Sequence, residues 1–221
     1  MTSATRKYLA EFVGTAALVT ANVSSGAMAT ANTTDNSLIL LSIAASTAVT
    51  LGLLILALGG ISGAHFNPAV SAVMLFRKAM NTRDFVAYVI AQVSGAVLGV
   101  AVANLMYGLD VFALSTTERV TNAHLIGEVV ATSGLVGIIL ALVLTNRPHA
   151  IPASVGAWIF TAILFTSSTS FANPAVTVGR MFTSSVTGIA PASGVAYIAI
   201  QLVGALIGFA IAETLFAKDK S

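Results

Sequence analysis

The chain has 221 residues, of which 57% are hydrophobic and only 8% are charged, and its formal net charge at pH 7 is +2. A soluble domain carries about 25% charged residues, so the composition excludes a water-soluble fold and predicts a membrane protein. The chain has no cysteine, which excludes disulfides, thiolate metal sites and cysteine nucleophiles. Its Lys and Arg residues are dispersed, so the charge does not indicate nucleic-acid binding. We expect no cofactor and no metal.

Hydropathy along the chain predicts six full membrane spans. A helix needs roughly 20 residues to cross a bilayer. In chain order the predicted spans cover residues 8–29, 38–58, 85–107, 125–145, 151–169 and 194–216. Because the loops between them are short, we predict a single domain over residues 1–221.

The positions of Lys and Arg predict the orientation of these spans, since cytoplasmic loops carry an excess of both. If both termini are cytoplasmic, eight of the ten basic residues lie on that side. These eight are Arg6, Lys7, Arg77, Lys78, Arg83, Arg147, Lys218 and Lys220. The sequence therefore predicts an integral membrane protein with both termini cytoplasmic.

Two further apolar stretches, residues 66–76 and 172–182, are too short to cross a bilayer. Each begins with the same tripeptide, Asn67-Pro68-Ala69 and Asn173-Pro174-Ala175. Asn is a preferred N-cap, and Pro suits the first helical turn, where its missing N–H is not needed. We therefore predict two half-length helices, each starting at one of these tripeptides.

The map contains an internal repeat. Glu11 and Glu128 lie early in spans one and four, the two Asn residues follow spans two and five, and Gln92 and Gln201 lie in spans three and six. Each half holds three spans, so the halves enter the membrane from opposite faces. This pattern predicts an inverted repeat of residues 5–112 and 120–217, in which the two half-helix N-termini face each other near the midplane.

The chain resembles the aquaporin or major intrinsic protein family. The resemblance rests on the stretch from Gly60 to Val70, on the second Asn-Pro-Ala, on Gly179 and on the paired Glu and Gln residues. It implies an all-α membrane fold with six transmembrane helices and two re-entrant half-helices, usually a homotetramer with one pore per subunit. Residues 171–182, followed by 188–191, resemble a bacterial subgroup associated with arsenic resistance, which implies a location in a bacterial plasma (inner) membrane.

The two Asn residues have a physical role in such a pore. A helix N-terminus carries unpaired N–H groups and about half a positive charge, so two of them repel cations from the lumen. The amides of Asn67 and Asn173 would donate to the oxygen of a passing neutral molecule. The alternative makes both residues plain N-caps in a closed bundle.

The resemblance also implies a selectivity filter. Carried over by ungapped offset, its positions are Thr47, Thr161, Ser170 and Val176, and Val176 stands where most members have Arg. We predict a wide, uncharged ring that passes water, glycerol, urea and neutral metalloid acids such as arsenous acid. Arg180, four residues later, either lines the outer vestibule or is held by loop carbonyls, Asp110 or Glu118. We favour the second hypothesis.

The remaining polar residues are predicted to support the structure. Glu11 and Glu128 would accept hydrogen bonds from the loops that lead to the half-helices, although an intramembrane carboxylate can also carry protons. Gln92 and Gln201 would bond between helices, and His65 would hold its loop or expose a carbonyl to the lumen.

These features favour a passive channel and predict no enzyme activity. A strictly water-selective aquaporin is the nearest alternative. An ion-coupled secondary transporter would need coupling-ion ligands, for which only Glu11 and Glu128 are available, and an intramembrane hydrolase would need a base, yet no His lies within a span.

Overall fold

The computed structural model describes residues 2–217, and that part of the chain is helical without any strand. Lys218 and Lys220, two of the eight basic residues assigned to the cytoplasmic side, lie outside the described residues.

The described chain has six long helices and two short ones. A 3₁₀ turn over Pro148–Ala150 leads directly into α6, and with that turn included six helices are long and apolar enough to cross a membrane. The all-α fold with six spans and two half-helices is confirmed. The helices are α1 (Ser3–Asn32), α2 (Asn36–Ser62), α3 (Pro68–Phe76), α4 (Thr82–Met106), α5 (Asn122–Leu144), α6 (Ile151–Phe165), α7 (Pro174–Arg180) and α8 (Pro191–Phe216).

Most long helices begin a few residues earlier than hydropathy predicts, because polar residues cap them. The Asp35 carboxylate accepts hydrogen bonds from the backbone N–H groups of Ser37 and Leu38 at the start of α2. Asn81 and Thr121 cap α4 and α5 in the same way. A polar cap lowers local hydropathy while it stabilises the helix end. The predicted fifth span differs at its other end, since α6 stops at Phe165 and not at 169.

Two close helix pairs form the frame of the bundle. Helix α1 packs on α4, and α5 packs on α8. At Gly99 of α4 an added Cβ would overlap the carbonyl oxygen of Ala16, and at Gly208 of α8 it would overlap that of Ser133. Glycine is required at both points because the backbones approach so closely.

The loops before the half-helices share an unusual backbone. Ala64 and Phe66 precede α3, and Ser170 and Ala172 precede α7, all with φ between 47° and 49°. This left-handed region is disfavoured for residues with a side chain. Both loops therefore need contacts from the surrounding helices to hold their course.

The connection between α4 and α5 covers the outer end of α7. The backbone N–H of Ser115 donates to the carbonyl of Met181 (2.9 Å), and Ala190 donates to Thr117 (2.8 Å). The buried amide of Asn104 donates to the carbonyl of Phe182 at 3.0 Å. These bonds fix the segment that follows α7, on the face of the protein opposite to the chain termini.

Candidate functional site

The two Asn-Pro-Ala tripeptides meet at the centre of the bundle. The Asn67 Oδ1 accepts from the backbone N–H of Ala69 (2.9 Å) and so caps α3, while its Nδ2 donates across to the carbonyl of Ala172 (2.8 Å). Asn173 makes the equivalent bonds from the other half: its Oδ1 caps α7, and its Nδ2 donates to the carbonyl of Phe66 at 2.8 Å. Each Asn thus caps its own half-helix and holds the loop of the other.

One donor of each amide remains for the lumen. A side-chain amide has two N–H groups, and the cross-link to the opposite loop uses one of them. Both Asn residues border the central cavity. Each can therefore donate a hydrogen bond to an oxygen in that cavity without giving up its structural bond.

The central cavity has a volume of about 540 Å³ and runs along the bundle past both Asn residues. Gly60 and His149 border it towards the side of the chain termini, and Arg180 borders it at the other end. Most of the remaining wall is aliphatic and comes from α2, α5 and α6. A closed bundle, the alternative for the Asn pair, does not fit a cavity of this size.

Glu11 and Glu128 hold the two strained loops. Both are fully buried, and neither borders the central cavity. The Glu11 carboxylate accepts from Ser62 Oγ (2.7 Å), the backbone N–H groups of His65 (3.0 Å) and Phe66 (2.7 Å), and Gln92 Nε2 (2.8 Å). The Glu128 carboxylate accepts from the backbone N–H groups of Phe171 and Ala172 (2.9 Å each) and from Gln201 Nε2 (2.6 Å).

This geometry favours a structural role over proton carriage. Each carboxylate already accepts three or four hydrogen bonds from the loop and the neighbouring helix, and it does not border the central cavity. Gln92 and Gln201 also donate to Ser71 (3.1 Å) and Thr177 (3.0 Å) on the half-helices. The His65 ring bonds Ser71 Oγ through Nδ1 at 3.0 Å and also borders the cavity.

Three of the four residues carried over as a filter border the central cavity: Thr47, Ser170 and Val176. Thr47 is fixed by Asn22, whose Nδ2 donates to the Thr47 Oγ1 at 2.9 Å. A lone Asn in the first span was a signal for a functional residue that the sequence reasoning missed.

Thr161 is the exception, and its assignment needs correction. Its side chain is exposed on the outside of the protomer, and its Oγ1 donates to the carbonyls of Ala157 (3.1 Å) and Trp158 (3.0 Å) of its own helix. Ile159 and Ile163 of α6 border the cavity instead. Residues four apart share a helix face, and the residue midway between them points away. Counting back from Asn173 could not reveal this face.

Arg180 borders the central cavity, as the vestibule hypothesis predicts, and it is also held by a loop carbonyl, as the structural hypothesis predicts. It is 5% exposed, and its Nε donates to the carbonyl of Thr187 rather than to Asp110 or Glu118. Its guanidinium lies over the ring of Phe171, 3.4 Å from the centroid, and the residue borders the central cavity. Asp110 is exposed, and Glu118 accepts from Ser193.

A second arginine lies near the same ring. Arg119 donates to the carbonyls of Gly188 and Val186 (2.8 Å each), and its guanidinium is 5.5 Å from the Phe171 centroid. Burial lowers the pKa of Arg119, although a guanidinium remains charged at physiological pH. Within residues 2–217, no group of three or more His, Asp and Glu side chains is placed to hold a metal ion.

Comparison with known proteins agrees with this architecture. The family model for major intrinsic protein matches residues 1–172. Aquaglyceroporin AqpS of Rhizobium meliloti (strain 1021) is 44% identical over 211 residues, which cover 96% of this chain and 90% of that protein. Glycerol uptake facilitator protein-like 6 of Lactiplantibacillus plantarum is 38% identical over 96 residues, 43% of this chain and 41% of that protein.

The fold also matches a solved structure. The X-ray structure of the aquaglyceroporin from Plasmodium falciparum superposes with a TM-score of 0.76 at 20% identity, over 98% of this chain and 96% of that one. At that identity the likeness shows the fold alone. Together with the sequence matches, it shows that the chain belongs to the major intrinsic protein family and is an integral membrane channel, not an enzyme.

Proposed function

We propose that this protein is a passive channel for water and small neutral solutes, with glycerol among them. The observation that carries the proposal is the pair of Asn amides at the centre of an elongated, mostly aliphatic cavity. Each amide offers one N–H to an oxygen of the permeating molecule. The aliphatic wall forms no competing hydrogen bonds, so molecules pass without being held.

The solute range follows from the residues around Val176. Thr47, Ser170 and Val176 are small or medium-sized and uncharged, which leaves room for molecules larger than water. The similarity to a protein named aquaglyceroporin supports glycerol. Urea and arsenous acid are neutral and of comparable size, so we include both, and the resemblance to the arsenic-resistance subgroup makes arsenous acid the special candidate.

The assembly is proposed on the same grounds. The outer faces of the long helices carry exposed apolar side chains, for example Val49, Leu53 and Leu56 of α2. These faces suit lipid and neighbouring subunits, and we propose a homotetramer in a bacterial inner membrane. Both termini are placed in the cytoplasm, and residues 5–112 and 120–217 are the two inverted repeats.

The test is a light-scattering assay on proteoliposomes. Water flux is driven by a gradient of an impermeant solute, and solute flux by gradients of glycerol, urea or arsenite. Each rate is compared with that of protein-free liposomes of the same lipid. We expect faster swelling or shrinking with each, at rates that rise linearly with the gradient. Saturable uptake driven by an ion gradient would favour a secondary transporter. Acceleration of water alone would favour a strictly water-selective aquaporin.

A further inference from the structure

A narrow point separates the central cavity from a second cavity nearer the outer surface. The outer cavity has a volume of about 200 Å³. Three residues border both cavities: Asn22 of α1, Ile163 of α6 and Arg180 of α7. We call these three residues the outer neck. Val176 borders the central cavity alone, so the neck lies further out, by about 6 Å for four residues of helix.

The Arg180 guanidinium is positioned to contact a solute at the neck. Its Nε donates to the carbonyl of Thr187, and its central carbon lies 3.4 Å from the centroid of the Phe171 ring. Its two terminal nitrogens form no hydrogen bond within residues 2–217, yet they are not sealed from solvent. Four N–H donors are therefore free towards the cavities.

The charge of Arg180 is not neutralised by an ion pair. Within the described residues, the ion pair joins Arg77 to Glu213, on the side of the chain termini. Arg119 shares the Phe171 ring with Arg180 and has the same sign, while the Glu128 carboxylate binds two backbone N–H groups and Gln201 instead. A buried, unpaired cation at membrane depth is costly, and such residues usually act on the transported species.

We propose that Arg180 is the specificity-determining residue of this channel and supplies, from one turn beyond Val176, the cationic donor of the solute path. At the neck, the guanidinium and the Asn22 side chain face the oxygens of a solute, and Ile163 faces its carbons. This two-sided lining fits small polyols such as glycerol. The inference rests on the proposed channel function and adds that the neck, rather than the ring at Val176, limits passage.

The first test removes the charge. Parent, Arg180→Gln and Arg119→Gln are reconstituted at equal amounts of folded protein, and proton leak is measured with an entrapped pH dye under a valinomycin clamp. We expect about a tenfold larger leak for Arg180→Gln, because a unit charge a few ångströms from the path alters the cation barrier strongly. Arg119 borders the outer cavity but not the neck, so Arg119→Gln should raise the leak severalfold less than Arg180→Gln does. Parent-like leak in folded Arg180→Gln, or an equal rise in both variants, would overturn the assignment.

The second test fills the neck without touching Arg180, and it stands even if Arg180→Gln fails to fold. Ile163→Trp should slow glycerol at least about tenfold more than water, because the indole occupies the path. Thr161→Trp, two residues away on the outer face of α6, is the matched control and should leave both rates unchanged. Equal slowing of glycerol and water, or none, in Ile163→Trp would contradict a limiting neck. Glycerol flux in the parent is measured first, so a failure of the channel function itself is seen separately.

Discussion

At the residue scale, each pore asparagine performs three tasks with one amide. The oxygen caps a half-helix, one N–H holds the opposite loop, and the other N–H can donate into the central cavity. No other side chain of this size offers an acceptor and two donors at once. Aspartate would keep the cap but lose both donors, and serine would be too short to reach the opposite loop.

This division of tasks predicts the effect of Asn67→Asp. The new carboxylate would face the carbonyl of Ala172 without a proton to donate, and its charge would offset the positive centre. We expect a loss of about 1–3 kcal/mol in stability, seen as a lower melting temperature in detergent, and an increased cation leak. Asn122→Asp, at the exposed first turn of α5, is the control: it should leave the leak unchanged and the melting temperature unchanged or slightly higher, because a carboxylate favours a helix N-terminus. Unchanged melting of Asn67→Asp would show that the cross-link contributes nothing.

Val176→Arg tests the ring formed by Thr47, Ser170 and Val176 in the central cavity. The guanidinium would enter the central cavity at a buried position lined by small residues. We expect glycerol and arsenite rates to fall severalfold, with part of the water rate retained, since a planar cation occupies the lumen and binds solute oxygens. Val176→Ile controls for bulk without charge. Parent-like glycerol and arsenite rates in Val176→Arg would show that this position does not face the path.

At the element scale, close packing of helix backbones holds the frame around the pore. The long helices pack in pairs, and glycines at the crossings leave no room for a methyl group. The half-helices are then held by buried polar bonds and not by apolar packing alone. Such bonds are directional, so small shifts of a long helix move the pore lining with it.

A matched pair of glycine substitutions tests this packing. In Gly99→Ala the new methyl would overlap the carbonyl of Ala16, so α1 and α4 must separate. We expect a loss of about 1–3 kcal/mol, or a melting temperature lower by roughly 2–4 °C per kcal/mol for a chain of this size. Gly60→Ala has open space around its Cβ and should leave melting unchanged or raise it. Equal melting of the two variants would contradict the close crossing.

The sequence predicted these elements well but not which way their residues face. Long apolar runs and the repeated Asn-Pro-Ala were sufficient for six spans and two half-helices. Helix starts were missed because polar caps such as Asp35 lower hydropathy. Counting back from Asn173 predicted Thr161 in the pore, although Ile159 and Ile163 are on the face of α6 that borders the cavity. Asn22 gave a signal that was not used, and the contact of Arg180 with Phe171 depends on loop geometry that no spacing rule describes.

At the scale of the whole molecule, the two halves use the same device to hold their loops. The first helix of each half supplies a buried carboxylate, Glu11 or Glu128. This carboxylate accepts hydrogen bonds from two backbone N–H groups and from a glutamine of the third long helix of the same half. The bonds stabilise left-handed residues that would otherwise strain the backbone. Because the two clusters are equivalent, loss of either carboxylate should destabilise the protein to a similar extent.

Glu11→Gln and Glu128→Gln should therefore behave alike. Each amide would place an NH₂ group against backbone N–H donors, which leaves at least one buried donor unpaired at about 1–3 kcal/mol. We expect a lower melting temperature and a lower yield for both variants, with water and glycerol flux per folded channel unchanged. Tyr107→Phe, outside both clusters, serves as a stability control. Loss of a pH-gradient-driven component in either variant would instead assign that carboxylate to proton transport.

The reciprocal bonds of the two asparagines also constrain how the chain can fold during synthesis. They join residues 105 and 107 positions apart, Asn67 to Ala172 and Asn173 to Phe66. When Asn67 leaves the ribosome its partner Ala172 has not been made, so α3 lacks this cross-link until the second half of the chain has been synthesised. Closing such distant contacts comes late because the intervening chain must be ordered first. The centre of the pore therefore cannot be completed before the second half-helix has been made, and a nascent chain stopped short of that helix lacks both cross-links.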